Sequence, residues 1–380
     1  MDLDVPYETD VPKPWEGAPP KADLLSLVRT VAVEYAPPGR VAESGLPPPD
    51  ARRRPVREYV RGASWWAPDG RPVRADPADR DRLPADTWER ALVPAGVRLE
   101  FTAHGVTAVE VAYEGSEPSE VDARRGIPAA FTVVGGVDVP AAVGTHVARL
   151  PLPRPDGTYT VQLPAALRPL VQEVRALGGG AIEPSAPRPR WLVYGDSLAE
   201  GWAATRPHFA WPSVAGRALG VEDVNLGYAG AARGELASAQ QLASLEADLV
   251  AVAFGTHCWT RTPHTAPLLY ETARAFLAVV RAGHPHAPLL VLSPVLRPDA
   301  ETTPNALGAT LAELRHAVER AARDAVDSGD ERLVLLPGGP LLGAEHLVDG
   351  VHPGDRGHLL LARAVAESLR KHRGPGNTIR

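Results

Sequence analysis

Cysteine is almost absent from the 380-residue chain: Cys258 stands alone. No intrachain disulfide can form, so a small secreted scaffold stapled by cystines is excluded. No run reaches the roughly 18 consecutive apolar residues of a membrane-spanning helix. The opening, MDLDVPYETDVPKPWEG, has neither the basic region nor the apolar stretch of a secretory leader, and the expected location is the cytoplasm. Lysine occurs only at Lys13, Lys21 and Lys371, so the positive charge is nearly all arginine. Nor is there a basic excess, because 40 Lys+Arg face 46 Asp+Glu for a net charge of −6. Nucleic acid is therefore excluded as the main partner, since neutralising phosphates needs a basic face. Membranes are not expected as partners either. No C-x-x-C or H-E-x-x-H spacing exists, so neither metal nor resident cofactor is expected.

What is abundant is proline and glycine, 40 and 35 residues, unevenly spread. The first 90 residues hold PPGR, SGLPPPD and RRRPVR, with little periodicity beyond an apolar run at Leu24–Val33. They read as extended, loop-rich chain with edge strands. Alternation then begins: Val97, Leu99 and Phe101, then Val109, Val111 and Tyr113. Further short runs at Ala130–Val134, Tyr159–Leu163 and Val171–Ala176 are each bounded by Gly or Pro. This pattern predicts an all-β, jelly-roll-like sandwich. The stretch Gly178–Arg190 is a composition break, placing the domain boundary so that 1–185 is the sandwich and 186–380 a second domain.

Beyond that break, Trp191–Tyr194, Val221–Asn225, Leu249–Phe254, Pro288–Ser293 and Leu333–Leu336 are nearly continuous apolar runs. Such runs fit parallel strands buried on both faces. The intervening periodicity predicts helices over Trp211–Leu219, Glu235–Glu246, Pro267–Ala282, Leu307–Ser328 and Gly354–Lys371. The fold class that follows is α/β, a three-layer, flavodoxin-like domain around a five-stranded parallel sheet. Its working loops leave the carboxyl ends of the strands.

Those loops carry the chemistry. Gly195-Asp196-Ser197 follows the first parallel strand, where a serine on a sharp turn is exposed as a nucleophile. Asp349-Gly350-Val351-His352 follows the fifth, and a carboxylate three residues before a histidine can orient the imidazole toward that serine. Either motif alone is weak, as a helix cap or a turn; together on one sheet edge they are specific. Asn225–Gly230 follows the second strand and Gly255-Thr256-His257-Cys258 the third.

In these four blocks the chain resembles the SGNH/GDSL superfamily of serine esterases and acyltransferases. The resemblance covers about the last 190 residues and implies Ser197, Asp349 and His352 as catalytic. It implies the Ser197 and Gly230 amides as oxyanion donors, with His257 standing where the family has asparagine. Cys258 stands where the family has aspartate and is read as a packed side chain rather than a nucleophile. A metal site from His257, His264 and His352 is set aside, because it would take His352 from the serine. Trp191, Trp202, Trp211 and Trp259 lie within or near the first three blocks, and core packing under the sheet claims some of them. Trp202 and Trp259 are candidate walls of a substrate pocket. Arg206, Arg233 and Arg261 are candidate contacts to phosphates, and His284 and His286 are expected at the surface.

A sandwich ahead of such a domain resembles family-two carbohydrate esterases, whose join also reads like WLVYGDS followed by GW. It also resembles tailoring acyltransferases of tetracycline-type polyketide biosynthesis. The resemblance implies transfer from an acyl-CoA co-substrate, salicylyl among the candidate groups, to a hydroxyl of a polyketide or glycoside. The alternative is hydrolysis of acylated sugars or small esters, and a third reading is a carbohydrate-binding protein with an inactive domain.

Overall fold

The computed structural model describes residues 54–124 and 129–373. The apolar run at Leu24–Val33 lies outside the described residues. Two antiparallel sheets come first. The larger runs, in spatial order, Val60–Arg61, Arg98–His104, Gly157–Gln162, Ala130–Val133 and Asp138–Pro140, and Ala181–Pro184 also pairs with Arg98–His104. The smaller consists of Leu170–Leu177, Ala108–Gly115 and Gly144–Pro151. Alternation decides which side chains meet between them. Leu99, Phe101 and Ala103 face Val109, Val111 and Tyr113 in one core, with Tyr113 edge-on to Phe131 at 5.0 Å between ring centroids.

Gly144–Pro151 and Ala181–Pro184 are among the strands that escape the sequence pattern. Along Gly144–Pro151 only Ala148 and Leu150 are buried, so too few apolar residues mark the period. Ala181–Pro184 lies inside the composition break itself and is a strand because Phe101–His104 offers it an open edge.

The second layer system is a five-stranded parallel sheet. Its spatial order is Glu222–Gly227, Arg190–Gly195, Leu249–Ala253, Leu289–Leu292 and Leu333–Leu336. Numbered along the chain this is 2-1-3-4-5, so the strand order reverses beside the first strand. Helices Leu236–Ser244, Ala266–Gly283 and Leu311–Asp327 cover one face of the sheet. Trp211–Leu219 and Asp355–Arg373 cover the other, with Trp191 and Trp211 packed at 5.9 Å in that layer. Buried Arg98 of the larger antiparallel sheet reaches Asp223 of the parallel sheet at 3.1 Å, and Gly62 N–H donates to Glu222 at 2.9 Å.

Two expectations need correction. The helix expected from Leu307 begins at Leu311, because Thr310 caps it in a reciprocal pair with Glu313; Leu307 is left exposed. His284, expected at the surface, is buried, and its Nε2 pairs with the Leu242 carbonyl at 2.8 Å. His286 is exposed. Among the described residues no helix is long and apolar enough to cross a membrane.

Candidate active site

The first parallel strand ends at Gly195, where a Cβ would lie 2.7 Å from the Ala253 carbonyl oxygen, so only glycine lets the neighbouring strand this close. The next residue, Asp196, accepts Leu198 N–H at 3.0 Å and caps the one-turn helix Ser197–Glu200. Asp196 is 4% exposed, and burial raises its pKa to about 6. The aspartate thus takes the cap role, and Ser197 opens the helix with its Oγ toward the loop that carries His352.

At the far end of the sheet, Asp349 folds its own loop. Its Oδ1 accepts the backbone N–H of Val351 at 3.0 Å and of His352 at 2.7 Å. Its Oδ2 meets His352 Nδ1 at 2.7 Å, and His352 Nε2 meets Ser197 Oγ at 2.9 Å. Burial opposes ionisation of Asp349, but the hydrogen bonds from the His352 ring and backbone win and hold the carboxyl well below its usual range. A hydroxyl, an imidazole and a carboxylate therefore form one continuous chain across 155 residues of sequence.

Ser197 and His352 face a cavity of about 220 Å³ that Trp202, Gly230, His257 and Arg261 also line. The Trp202 ring lies 5.4 Å from the His352 ring, tilted by 34°. Gly230 sits at φ +78°, a left-handed turn that favours glycine, and neither its N–H nor that of Ser197 has a hydrogen-bond partner among the described residues. Both ring nitrogens of His257 are buried and likewise unpartnered. Burial, reinforced by the charges of Arg261 and His352, lowers the His257 pKa to about 3, so the ring is neutral.

Other expected contacts lie elsewhere. Trp259 does not line the cavity; its Nε1 donates to the Thr303 carbonyl at 2.8 Å and Arg297 covers its ring. Arg233 is held by Asp86 at 2.7 and 2.9 Å and by Glu235 at 3.3 Å, and Arg206 pairs with Asp138 at 2.6 Å. Arg261 is exposed at the rim and has no ion-pair partner among the described residues. Cys258 is buried, and burial pushes its thiol well above the ordinary range, as a packed side chain requires. No cluster of three His, Cys, Asp or Glu suited to a metal ion occurs among the described residues. Sequence reasoning missed Asp86, Glu89, Arg90 and Val121, which wall the cavity from the N-terminal side. No local pattern marks them, because they meet the site only through folding.

A 2-1-3-4-5 parallel sheet, with Ser197, His352 and Asp349 hydrogen-bonded in a chain at its carboxyl edge, defines the protein as an α/β enzyme. More particularly, residues 193–360 match the GDSL-like Lipase/Acylhydrolase family, and the chain carries a domain of that family. Three solved structures are similar over both regions. A salicylyl-acyltransferase, SsfX3, from a tetracycline biosynthetic pathway is 26% identical at TM-score 0.72, over 82% of this chain and 94% of its own. A GDSL-like lipase described from Bacteroides ovatus is 18% identical at TM-score 0.69, over 84% and 97%. A family two carbohydrate esterase from Clostridium thermocellum is 16% identical at TM-score 0.53, over 73% and 92%. No curated protein sequence matches the chain.

Proposed function

We propose that the protein is a cytoplasmic serine acyltransferase that moves an acyl group, aryl groups such as salicylyl included, from an acyl-CoA to a hydroxyl of a polyketide or glycoside. The observation that carries this reading is the hydrogen-bonded chain Asp349–His352–Ser197, whose histidine and serine line a small cavity. His352 Nε2 takes the Ser197 proton as Oγ attacks the thioester carbonyl. The carbonyl oxygen becomes an oxyanion received by the Ser197 and Gly230 N–H groups and by the neutral His257 ring. His352 then protonates the departing thiolate, leaving acyl-serine. An acceptor hydroxyl attacks next, giving its proton to His352, which returns it to Ser197 Oγ as the ester leaves.

Two features favour transfer over hydrolysis. Arg90 and Val121, from outside the GDSL-like region, line the cavity where an acceptor would displace water from the acyl-serine. The chain is also 26% identical to the salicylyl-acyltransferase, against 18% and 16% for the lipase and the carbohydrate esterase. A cavity of about 220 Å³ suits a short or single-ring acyl group, with Arg261 at its rim as a candidate phosphate contact. The test is intact-mass analysis after incubation with acyl-CoA and aryl-ester donors, followed by product partitioning with polyketide and glycoside acceptors. One acyl adduct on Ser197, absent in Ser197→Ala, and ester product outrunning free acid are expected. Free acid with every acceptor, alongside rapid cleavage of acetylated sugars, would make the protein an esterase.

A further inference from the structure

Behind the catalytic serine lies a buried charged cluster that the acyl-serine chemistry does not itself use. Glu200 is three residues beyond Ser197 and its side chain is fully buried. Its Oε2 accepts the Ala229 N–H at 3.0 Å, and its Oε1 accepts the Trp202 indole N–H at 3.1 Å. Ala229 immediately precedes Gly230, so this carboxylate grips the turn that presents the Gly230 N–H. Trp202 is the ring that lies against His352. One carboxylate therefore holds two separate walls of the site.

Glu200 is in turn held from outside the GDSL-like region. Arg90, on the helix Ala85–Ala91, donates to Glu200 through Nε at 3.2 Å and through a second, shorter bond from its terminal nitrogen. The third arm of the same guanidinium donates to Asp122 at 3.1 Å. Arg74 adds a bond to Glu200 at 3.3 Å and also donates to the Gly227 carbonyl, at the start of the same turn. Asn225 completes the grip: its Oδ1 accepts Gly227 N–H at 2.9 Å while its Nδ2 donates to the Ala199 carbonyl at 2.7 Å. The guanidinium fork fixes the plane of the carboxylate, which fixes the direction of the Ala229 peptide.

We propose that Arg90 and Glu200 are positioning residues of the oxyanion site, through which the N-terminal region sets the direction of the Gly230 N–H. The inference rests on the serine-enzyme reading above. Arg90 touches no reacting atom, because all three arms of its guanidinium are engaged by carboxylates. Its effect falls chiefly on the rate of the step that develops the oxyanion, because a misdirected donor is felt only where charge appears.

The experiment is labelling of the full chain with an aryl alkylphosphonate, together with kcat and KM for an aryl ester. Arg90→Ala should label roughly 10- to 100-fold more slowly than the parent, with kcat falling alike and KM changing less than threefold. Added guanidinium should restore the rate several-fold by refilling the vacated site, whereas a merely structural role would give no such rescue. If Arg90→Ala does not fold, Arg90→Lys serves: it keeps the charge, cannot span Glu200 and Asp122 together, and should show the same split at smaller size. A folded variant that labels within twofold of the parent, or a slowed variant that guanidinium leaves unchanged, overturns the proposal. Failure of the parent chain to label at Ser197 would instead overturn the serine-enzyme reading, so the two failures are distinct.

Discussion

Replacing His257 by leucine sets stability and turnover against each other. The ring lines the cavity, yet neither nitrogen has a partner among the described residues, and a pKa lowered to about 3 by burial keeps it neutral at any ordinary pH. One N–H and one lone pair are thus shielded from water and unmet, each at a cost of about 1–3 kcal/mol. Leucine has no polar atom to strand. After allowing for imperfect fit, His257→Leu is expected to stabilise the fold by about 1 kcal/mol, a rise of roughly 2 °C in Tm for a chain of this size. Turnover moves the other way. A donor that finds its acceptor only as the carbonyl oxygen gains charge is worth about 2.7–4 kcal/mol, so kcat should fall roughly 10²–10³-fold with KM nearly unchanged. His257→Asn retains a donor and should recover much of the loss. Because the ring stays neutral, the ratio of parent to leucine variant should be flat from about pH 5 to 9. Thermal unfolding run beside steady-state ester turnover reads both effects. A leucine variant that is less stable and fully active would make the imidazole a packing group. A ratio that declines as pH rises through the ordinary histidine range would mean that the donor is a charged imidazolium.

Asp349→Asn should lower kcat roughly 10⁴-fold, because asparagine no longer selects the tautomer that leaves His352 Nε2 free to accept from Ser197. As the Asp349 carboxyl is held well below its usual range, that ratio should stay constant above about pH 4 in pH–rate profiles; a loss under tenfold would refute the orienting role. Asp196 gives a stability signature of its own. Its folded pKa of about 6 exceeds the ordinary aspartate value of 3.8, so folding takes up a proton and stability declines as pH rises between those values. Asp196→Asn keeps the acceptor for Leu198 N–H and should be more stable than the parent above pH 6, by roughly 3 kcal/mol at most, with the advantage gone below about pH 4. Denaturant unfolding at both ends of that range checks it, and a pH-independent difference would refute it.

Much of the architecture was legible in the sequence because burial itself writes the pattern. Trp191–Tyr194 and Leu249–Phe254 are continuous apolar runs since helices cover both faces of their sheet, whereas Leu99 and Phe101 alternate with Arg98 and Glu100, which point away from the sandwich core and are buried in ion pairs with Asp223 and Arg188. Ser197, Asp349 and His352 were legible for a related reason: Ser197 sits where one strand run ends and Asp349 and His352 on the long loop that follows another, and the loops leaving the strand ends of one parallel sheet share an edge. Tertiary structure alone decided what those loops meet. The edge pairing that makes Ala181–Pro184 a strand is supplied by residues some 80 positions earlier, and a local composition break cannot announce it. Thr310 overrode the helical period at Leu307, because a cap bond outweighs one more apolar contact. Arg90 reads in sequence as one arginine of a short helix, yet it grips Glu200 across 110 residues. A charge records nothing of its partner in its own neighbourhood, so the N-terminal side's hold on the active site exists only once the chain has folded.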